Sequence, residues 1–342
     1  MTSAANSDRV VVLSGGLSHE RDVSLRSGRR VSEALRTAGF DVAERDVDGS
    51  LVTAFADDPP ACVVPLLHGE AGEDGSLREV LRLLGVPYVG SEPDPCRVAF
   101  DKPVAKAIVG LHEVATPAAV TLPAETFREI GAGAVMDALV ARLHLPLVVK
   151  PAKGGSALGC TVVRDRADLP DAMVNCFAYS GTALVEQFID GVEVTVPVVD
   201  FGDGPQALPV VEIRPDGGVY DYSARYTAGA TEFVVPAALS PSISADCARV
   251  ALTAQQALGL RDLSRSDLIV DPEGHVWFLE VNVAPGMTET SLVPLSVEAA
   301  GLDLGKVCGR LVELAIARGQ TGLTAGYRGG AASPRSSRSS RE

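Results

Sequence analysis

The stretch Ser264-Arg265-Ser266-Asp267-Leu268-Ile269-Val270-Asp271-Pro272-Glu273-Gly274-His275-Val276-Trp277-Phe278-Leu279-Glu280-Val281-Asn282 decides the fold. Two runs rich in β-branched and aromatic residues flank Asp271-Pro272-Glu273-Gly274, which has the composition of a turn, so the segment reads as a β-hairpin. A four-residue turn there sets Arg265 opposite Glu280 and Asp267 opposite Phe278. Alternation along each strand gathers Arg265, Asp267, Glu280 and Asn282 on one face, together with Ile269, Val276 and Phe278. Leu268, Val270, Trp277, Leu279 and Val281 take the other. Three oxygen donors beside one guanidinium suit Mg2+, a hard cation that also takes phosphate oxygens. The competing reading is a solvated face with an Arg265–Glu280 cross-strand pair. The apolar residues sharing that face weigh against it.

Outward from the hairpin, the chain alternates strands and helices. Residues 292–318 continue in a helical pattern and 243–258 precede as a helix. Upstream, Leu184–Phe188, Val192–Val199 and Pro209–Ile213 read as strands, with a polar, irregular run at 214–231. Leu145–Lys150 and Cys160–Arg164 flank a glycine-rich loop. Ala118–Leu122 is strand-like, 126–143 is helical, and 94–112 reads as one helix. Residues 1–90 alternate Arg9–Leu13, Phe40–Val47, Cys62–Leu67 and Val86–Val89 with helical segments, the pattern of a parallel α/β layer. The expected division is an N-terminal α/β domain over 1–93, a central domain over 94–187, a C-terminal domain over 188–322 and a disordered Gly-Ser-Arg tail over 323–342.

Composition narrows the function. The 342 residues are 46% hydrophobic and 22% charged, enough for two or three cored domains at ~150 residues each. Thirty Lys and Arg face 44 Asp and Glu, for a net charge of −14. The arginine-bearing tail is basic, so the body is more acidic still. Such a chain is a poor partner for nucleic acid or an anionic membrane. No apolar run approaches the ~18 residues of a spanning helix, and Met1–Asp8 lacks a secretory pattern, so a cytoplasmic location is expected. The six cysteines are scattered without a CxxC pair, which reads as small buried thiols in a reducing compartment.

Several loops carry candidate chemistry. Lys150 closes the apolar run from Leu145 and precedes Gly154-Gly155-Ser156-Ala157-Leu158-Gly159, whose freed N–H groups could surround phosphate oxygens. An ordinary glycine turn is equally open. Ser14-Gly15-Gly16-Leu17-Ser18-His19-Glu20 joins the first strand to a helix and could present helix N–H groups to an anion. His68 follows a strand and precedes Gly69, where an open α/β sheet faces its ligand. A buried structural histidine is the bland reading there, as a solvated helix start is for Lys102.

Together these residues resemble the D-alanine–D-alanine ligase family of the ATP-grasp superfamily over about 10–320. The resemblance rests on Gly15–Glu20 with Val23-Ser24-Leu25, Leu67-His68-Gly69 with Gly72-Glu73-Asp74-Gly75, Pro87–Ser91, Asp101-Lys102, and Val149-Lys150-Pro151. It continues through Tyr220-Asp221-Tyr222, Tyr226-Thr227, Gly229–Glu232, Glu280-Val281-Asn282, Pro285–Thr288 and Ser291–Pro294. It implies an ATP-grasp fold of α/β (α+β) class, with two domains sandwiching ATP behind the N-terminal domain. The implied reaction joins two D-alanines through an acyl phosphate, for peptidoglycan precursors.

By the same resemblance, Lys102, Lys150 and the loop at Gly155 contact the ATP phosphates. Glu186, Gln187, Phe188 and Ile189 form the adenine hinge and Glu193 holds the ribose. Asp267, Glu280 and Asn282 ligate two Mg2+ (or Mn2+). Arg265 and the Gly286 N–H form an oxyanion hole, and Glu20, Ser156 and Tyr226 a hydrogen-bonded triad. Glu20 and His68 lie at the first D-alanine, Ser291 and Leu292 at the second carboxylate, and Arg225 at phosphate or substrate. A homodimer is implied too. The chain departs from the family pattern at Arg225, where Lys is usual, and at Ala157, Ser223 and Val283-Ala284. Two alternatives stay open: a ligase using a different amino or hydroxy acid as second substrate, and a nucleotide-binding protein without turnover.

Overall fold

The computed structural model describes residues 8–217, 220, 224, 225, 227 and 229–324. Tyr226, Asp221 to Ser223 and the tail from 325 lie outside the described residues, while the last helix, Leu304–Thr324, includes 323 and 324.

The first sheet holds β1 (Val10–Ser14), β2 (Val42–Asp46) and β3 (Cys62–Pro65) in the order β2-β1-β3, all parallel. The expected strand at Val86–Val89 contributes only a bridge between Val63 and Tyr88. Pro87 has no N–H to extend a ladder, although its carbonyl accepts from Val63 at 2.8 Å. One face buries Val11, Leu13 and Val63 against Leu51, Phe55, Leu77 and Leu81. The other buries Val10, Val12 and Val64 against Val31 and Leu35 of the helix Arg21–Thr37 and against Val307, Leu311 and Val312 of the last helix. The two chain ends therefore share one core.

The second sheet is antiparallel: β4 (Ala119–Pro123), β5 (Leu147–Pro151), β6 (Thr161–Val163) and β7 (Thr182–Gln187), ordered β4-β7-β5-β6. Phe127, Leu139, Leu143 and Met173 cover it. The helical run expected at 126–143 is two helices, Ala124–Ile130 and Ala132–Leu143, broken at Gly131.

The third sheet joins β8 (Val192–Asp200), β9 (Pro205–Ala207), β10 (Val211–Pro215), β11 (Thr231–Val234), β12 (Leu263–Val270) and β13 (Val276–Asn282). Its order is β11-β10-β8-β12-β13, with β9 on β8. Sequence patterning did not suggest β9 or β11. The helix Pro241–Ala257 buries Val250, Ala251 and Ala254 against Val194, Val196 and Phe278. The same core takes Cys96, Ala99, Ala105 and Val109. These come from 94–112, which is two helices, Pro93–Phe100 and Lys102–Gly110, rather than one. Asp101 is extended between them and caps the second, accepting from the Val104 N–H at 3.3 Å. All six cysteines are free thiols, five of them buried and Cys160 half-buried.

The hairpin forms, but in a different register. Asp267 faces Glu280 and Arg265 faces Asn282. Two single-residue irregularities cause this. Gly274 is left-handed (φ +89°) and sits outside the pairing, so the Asp271 N–H reaches the His275 carbonyl at 3.0 Å. A bulge between Asp267 and Leu268 then leaves Leu279 without a cross-strand partner. The shifts add to two residues, so the four polar residues keep their common side. Val276 and Phe278, expected on that side, lie instead in the core with Leu268, Val270 and Val281, while Leu279 lines the polar side.

This register has a measurable consequence. Phe278→Ala should lower stability by about 3–5 kcal/mol in denaturant unfolding. Leu279→Ala should cost clearly less, and equal losses would contradict the bulge.

Candidate active site

Loops and helices of the N-terminal layer meet elements of the second and third sheets at two adjoining cavities. One, of ≈ 410 Å³, is walled by Lys150, residues 186–189, Glu193, and Asp267, Ile269 and Leu279 of the hairpin. The other, of ≈ 260 Å³, takes Glu20, His68 and Glu73 from the N-terminal layer and Arg265, Asn282, Gly286, Ser291 and Leu292 from the C-terminal side. Lys102, Gly154, Gly155, Tyr220, Arg225 and Glu280 line both and form the partition. Every site residue expected from the sequence lines one cavity or the other, except Tyr226, which is outside the described residues.

The larger cavity is organised by buried ion pairs. The Lys102 ammonium donates to the Gly154 carbonyl at 2.6 Å and lies 3.3 Å from Glu280 Oε2. Lys150 pairs with Glu186 Oε2 at 2.7 Å, and Lys106 pairs with Oε1 of the same carboxylate. Glu186, 2% exposed, therefore has both carboxylate oxygens engaged by lysines. Burial opposes its ionisation, yet Lys150 and Lys106 outweigh burial and hold it below the usual carboxylate range. Glu280 behaves likewise: burial is overcome by Lys102, Lys150, Arg225 and Arg265, and the carboxyl falls to about 2. Asp267 accepts from Arg265 Nε at 2.8 Å and Nη2 at 2.7 Å, and from the Thr195 hydroxyl at 2.7 Å. Arg265 thus clamps Asp267 on its own strand rather than making the cross-strand pair with Glu280. Glu193 is pushed up to about 7 by burial, against the pull of Arg225.

The smaller cavity ends in two carboxyl groups. Ser156 donates its hydroxyl to Glu20. Ser156 and Ala157 both hold left-handed φ values, +52° and +56°. Gly69 backs Glu20 in the left-handed region (φ +76°), a backbone conformation that favours glycine. Glu73 accepts the Gly69 N–H at 2.9 Å. Burial pushes Glu73 up to about 8, and the nearby Glu20 charge adds to it. Burial drives His68 down to about 4, so its ring is neutral at pH 7. Its Nδ1 lies 2.9 Å from the Ala284 carbonyl. Ser291 Oγ accepts the Thr288 N–H at 2.9 Å at the start of the helix Leu292–Ala299. The Arg225 guanidinium lies 4.2 Å from the centroid of the Tyr220 ring.

Residues 112–313 match the family described as D-ala D-ala ligase C-terminus. A D-alanine–D-alanine ligase of Gloeobacter violaceus is 40% identical over 306 residues, covering 89% of this chain and 98% of that protein. The chain belongs to the D-alanine–D-alanine ligase family. Another member, from Acidiphilium cryptum, is 39% identical over 91% of this chain and 99% of its own length. Among solved structures, the VanG D-Ala:D-Ser ligase of Enterococcus faecalis superposes with a TM-score of 0.77 at 28% identity, covering 91% of this chain and 100% of its own. A D-alanine–D-alanine ligase of Bacillus anthracis gives 0.78 at 27%, covering 92% of this chain and 100% of its own. These family relatives share the ATP-grasp architecture seen here.

Four site residues escaped the sequence reading. Lys106 follows Lys102 by four residues on one helix face, a spacing that could have revealed it. Glu73 sits in the Gly72–Gly75 motif already singled out. Thr195 and Ser27, whose Oγ accepts the Met287 N–H at 3.0 Å beside Gly286, carried no signal, because each is an ordinary hydroxyl whose partner is distant in sequence.

Glu73 yields a pH test. Its folded-state value, about 8, lies above the ordinary 4.5 of the unfolded chain. The folded state therefore holds an extra proton between those values, and this contribution to stability is complete below 4.5 and lost as pH rises through 8. Glu73→Gln keeps an acceptor for Gly69 and removes that proton. Denaturant midpoints at pH 6 and pH 8.5 should show the variant gaining on the native chain at the higher pH; parallel midpoints would place Glu73 in contact with solvent.

Proposed function

We propose that this chain joins two D-alanines into D-alanyl-D-alanine, with ATP cleaved to ADP and phosphate, as a supply step for peptidoglycan precursors. The observation that carries this reading is the pair of cavities with a common charged partition: a nucleotide on one side can pass its γ-phosphoryl to a carboxylate on the other without leaving the protein. We read 1–93, 94–187 and 188–322 as the three functional domains, with the nucleotide between the second and third. The hinge Glu186 to Ile189 and Glu193 then flank adenine and ribose, and Lys102, Lys150 and the Gly155 loop neutralise phosphate charge.

The donor set fits a hard divalent cation. Asp267 and Glu280 are cross-strand neighbours, Glu280 remains ionised, and Asn282 adds an amide oxygen on the same strand. Asp267, Glu280 and Asn282 would hold two Mg2+ or Mn2+, which supply charge neutralisation at the β- and γ-phosphates.

The carboxylate of the first D-alanine attacks the γ-phosphorus, giving an acyl phosphate and ADP. Glu20, with its Ser156 partner, receives the ammonium of that substrate. The second D-alanine gives its ammonium proton to solvent and attacks the acyl carbon as the free amine; phosphate leaves with the bonding pair and takes the excess proton from the new amide nitrogen. Arg265 and the Gly286 N–H stabilise the oxyanion of the tetrahedral intermediate, while Ser291 and the Leu292 N–H receive the second carboxylate. The family resemblance assigns Tyr226, which lies outside the described residues, to act with Glu20 and Ser156, and Arg225 stands at the partition where phosphate passes. Exclusion of water protects the acyl phosphate from hydrolysis. A homodimer and a cytoplasmic location belong to the same reading. No described helix is long and apolar enough to cross a membrane.

Phosphate release with ATP and Mg2+ should require D-alanine, with D-alanyl-D-alanine identified by mass spectrometry. D-serine and D-lactate belong in the panel, and turnover only with one of them would move the second substrate. Glu280→Gln should abolish turnover while leaving the circular dichroism spectrum intact; activity near the native level would refute the metal reading.

A further inference from the structure

The segment Ala284–Met287 carries Gly286 into the smaller cavity, and the N-terminal layer holds it from both ends. His68 Nδ1 lies 2.9 Å from the Ala284 carbonyl. Ser27 Oγ lies 3.4 Å from His68 Nε2 and accepts the Met287 N–H at 3.0 Å. Arg30 donates to the Thr288 carbonyl one residue further on. Ser27 is fully buried and His68 is 5% exposed.

For a neutral ring the donors and acceptors allow one arrangement. A carbonyl only accepts, so Nδ1 carries the proton. A neutral ring then leaves Nε2 bare, and the Ser27 hydroxyl donates to it. The serine oxygen is free to accept the Met287 N–H. The chain of bonds runs from Met287 through Ser27 and His68 to Ala284 and brackets Gly286. Neutrality of the ring agrees with its surroundings: burial disfavours the imidazolium, and Arg265 on β12, the charge acting on it, is itself a cation.

We infer that Ser27, through His68, is a positioning residue that fixes the Gly286 N–H against the developing oxyanion. This rests on the ligase reading of Gly286. A donor displaced from its oxyanion loses much of its effect, because the hydrogen bond matters only in the transition state. His68 on this view moves no proton; it is a rigid spacer between a helix and a loop.

Three variants test it: Ser27→Ala, His68→Asn and His68→Gln. Ser27→Ala should lower kcat about tenfold or more, with KM for ATP nearly unchanged. Affinity for a phosphinate mimic of the tetrahedral intermediate should fall further than affinity for the dipeptide product. Hydrogen exchange of the 284–288 segment should quicken. Asparagine places its amide where Nδ1 stood and should retain more kcat than glutamine, which does not. The acidic limb of the pH–rate profile should be the same in His68→Asn as in the native enzyme. Loss of a limb near neutrality would make His68 a proton carrier and overturn the inference, as would equal kcat in the Asn and Gln variants. Faster exchange with unchanged kcat and mimic affinity would leave the clamp real but catalytically idle, which also overturns it. A native chain that forms no D-alanyl-D-alanine would remove the ligase reading itself. The exchange measurement would still judge the clamp, and it serves equally if Ser27→Ala folds poorly, because His68→Gln breaks the same chain.

Discussion

A buried carboxylate stays ionised only where cations reach it, and the cavities of this chain are built around that constraint. Glu186 sits between Lys106 and Lys150, Glu280 beside Lys102, and Asp267 beside Arg265. Removing one partner of such a pair strands the other in a low-dielectric interior, at a cost of about 3–5 kcal/mol. The lysine pairs therefore tie separate elements together, while Arg265 and Asp267 brace one strand. Lys102 and Lys106 join the helix Lys102–Gly110 to both β13 and β7, so ion pairs to two cavity-lining carboxylates, Glu280 and Glu186, hold the second and third sheets.

That arrangement explains why the smaller cavity can be more tolerant of protonated acids. Glu73 has no ion-pair partner within salt-bridge distance among the described residues, only the Gly69 N–H, and burial with a neighbouring carboxylate leaves it protonated near neutrality. Glu280, on the partition, is forced to the opposite extreme. Two glutamates of one site differ by several pH units because four cations overcome burial at Glu280, whereas burial and the Glu20 charge prevail over Lys102 and Arg265 at Glu73.

Much of this was legible in the sequence. Strands with continuous β-branched runs, such as Val10–Ser14 and Val192–Asp200, announced themselves, and the hairpin's polar face survived intact. Its register did not, because one left-handed glycine and one bulge each add a residue, and neither leaves a compositional trace distinct from an ordinary turn. Single helices were expected where Asp101 and Gly131 divide the chain; helical periodicity continues across both breaks. β9 and β11 are too short and polar to stand out. At the site, charged residues in glycine-rich motifs were readable. Hydroxyl partners such as Thr195 and Ser27 were not, since their roles arise only when segments distant in sequence, a neighbouring strand for Thr195 and two loops for Ser27, are brought side by side.

The shared core of the chain ends has a consequence for how the protein is made. Val31 and Leu35, near the start, finish their packing against Val307, Leu311 and Val312, near the end. During synthesis the apolar side of the parallel sheet emerges long before the helix Leu304–Thr324 that covers it. The first ninety residues therefore wait, half-covered, through most of translation. The nascent chain is a natural client for chaperones, and slowing elongation late in the message would prolong its most vulnerable interval.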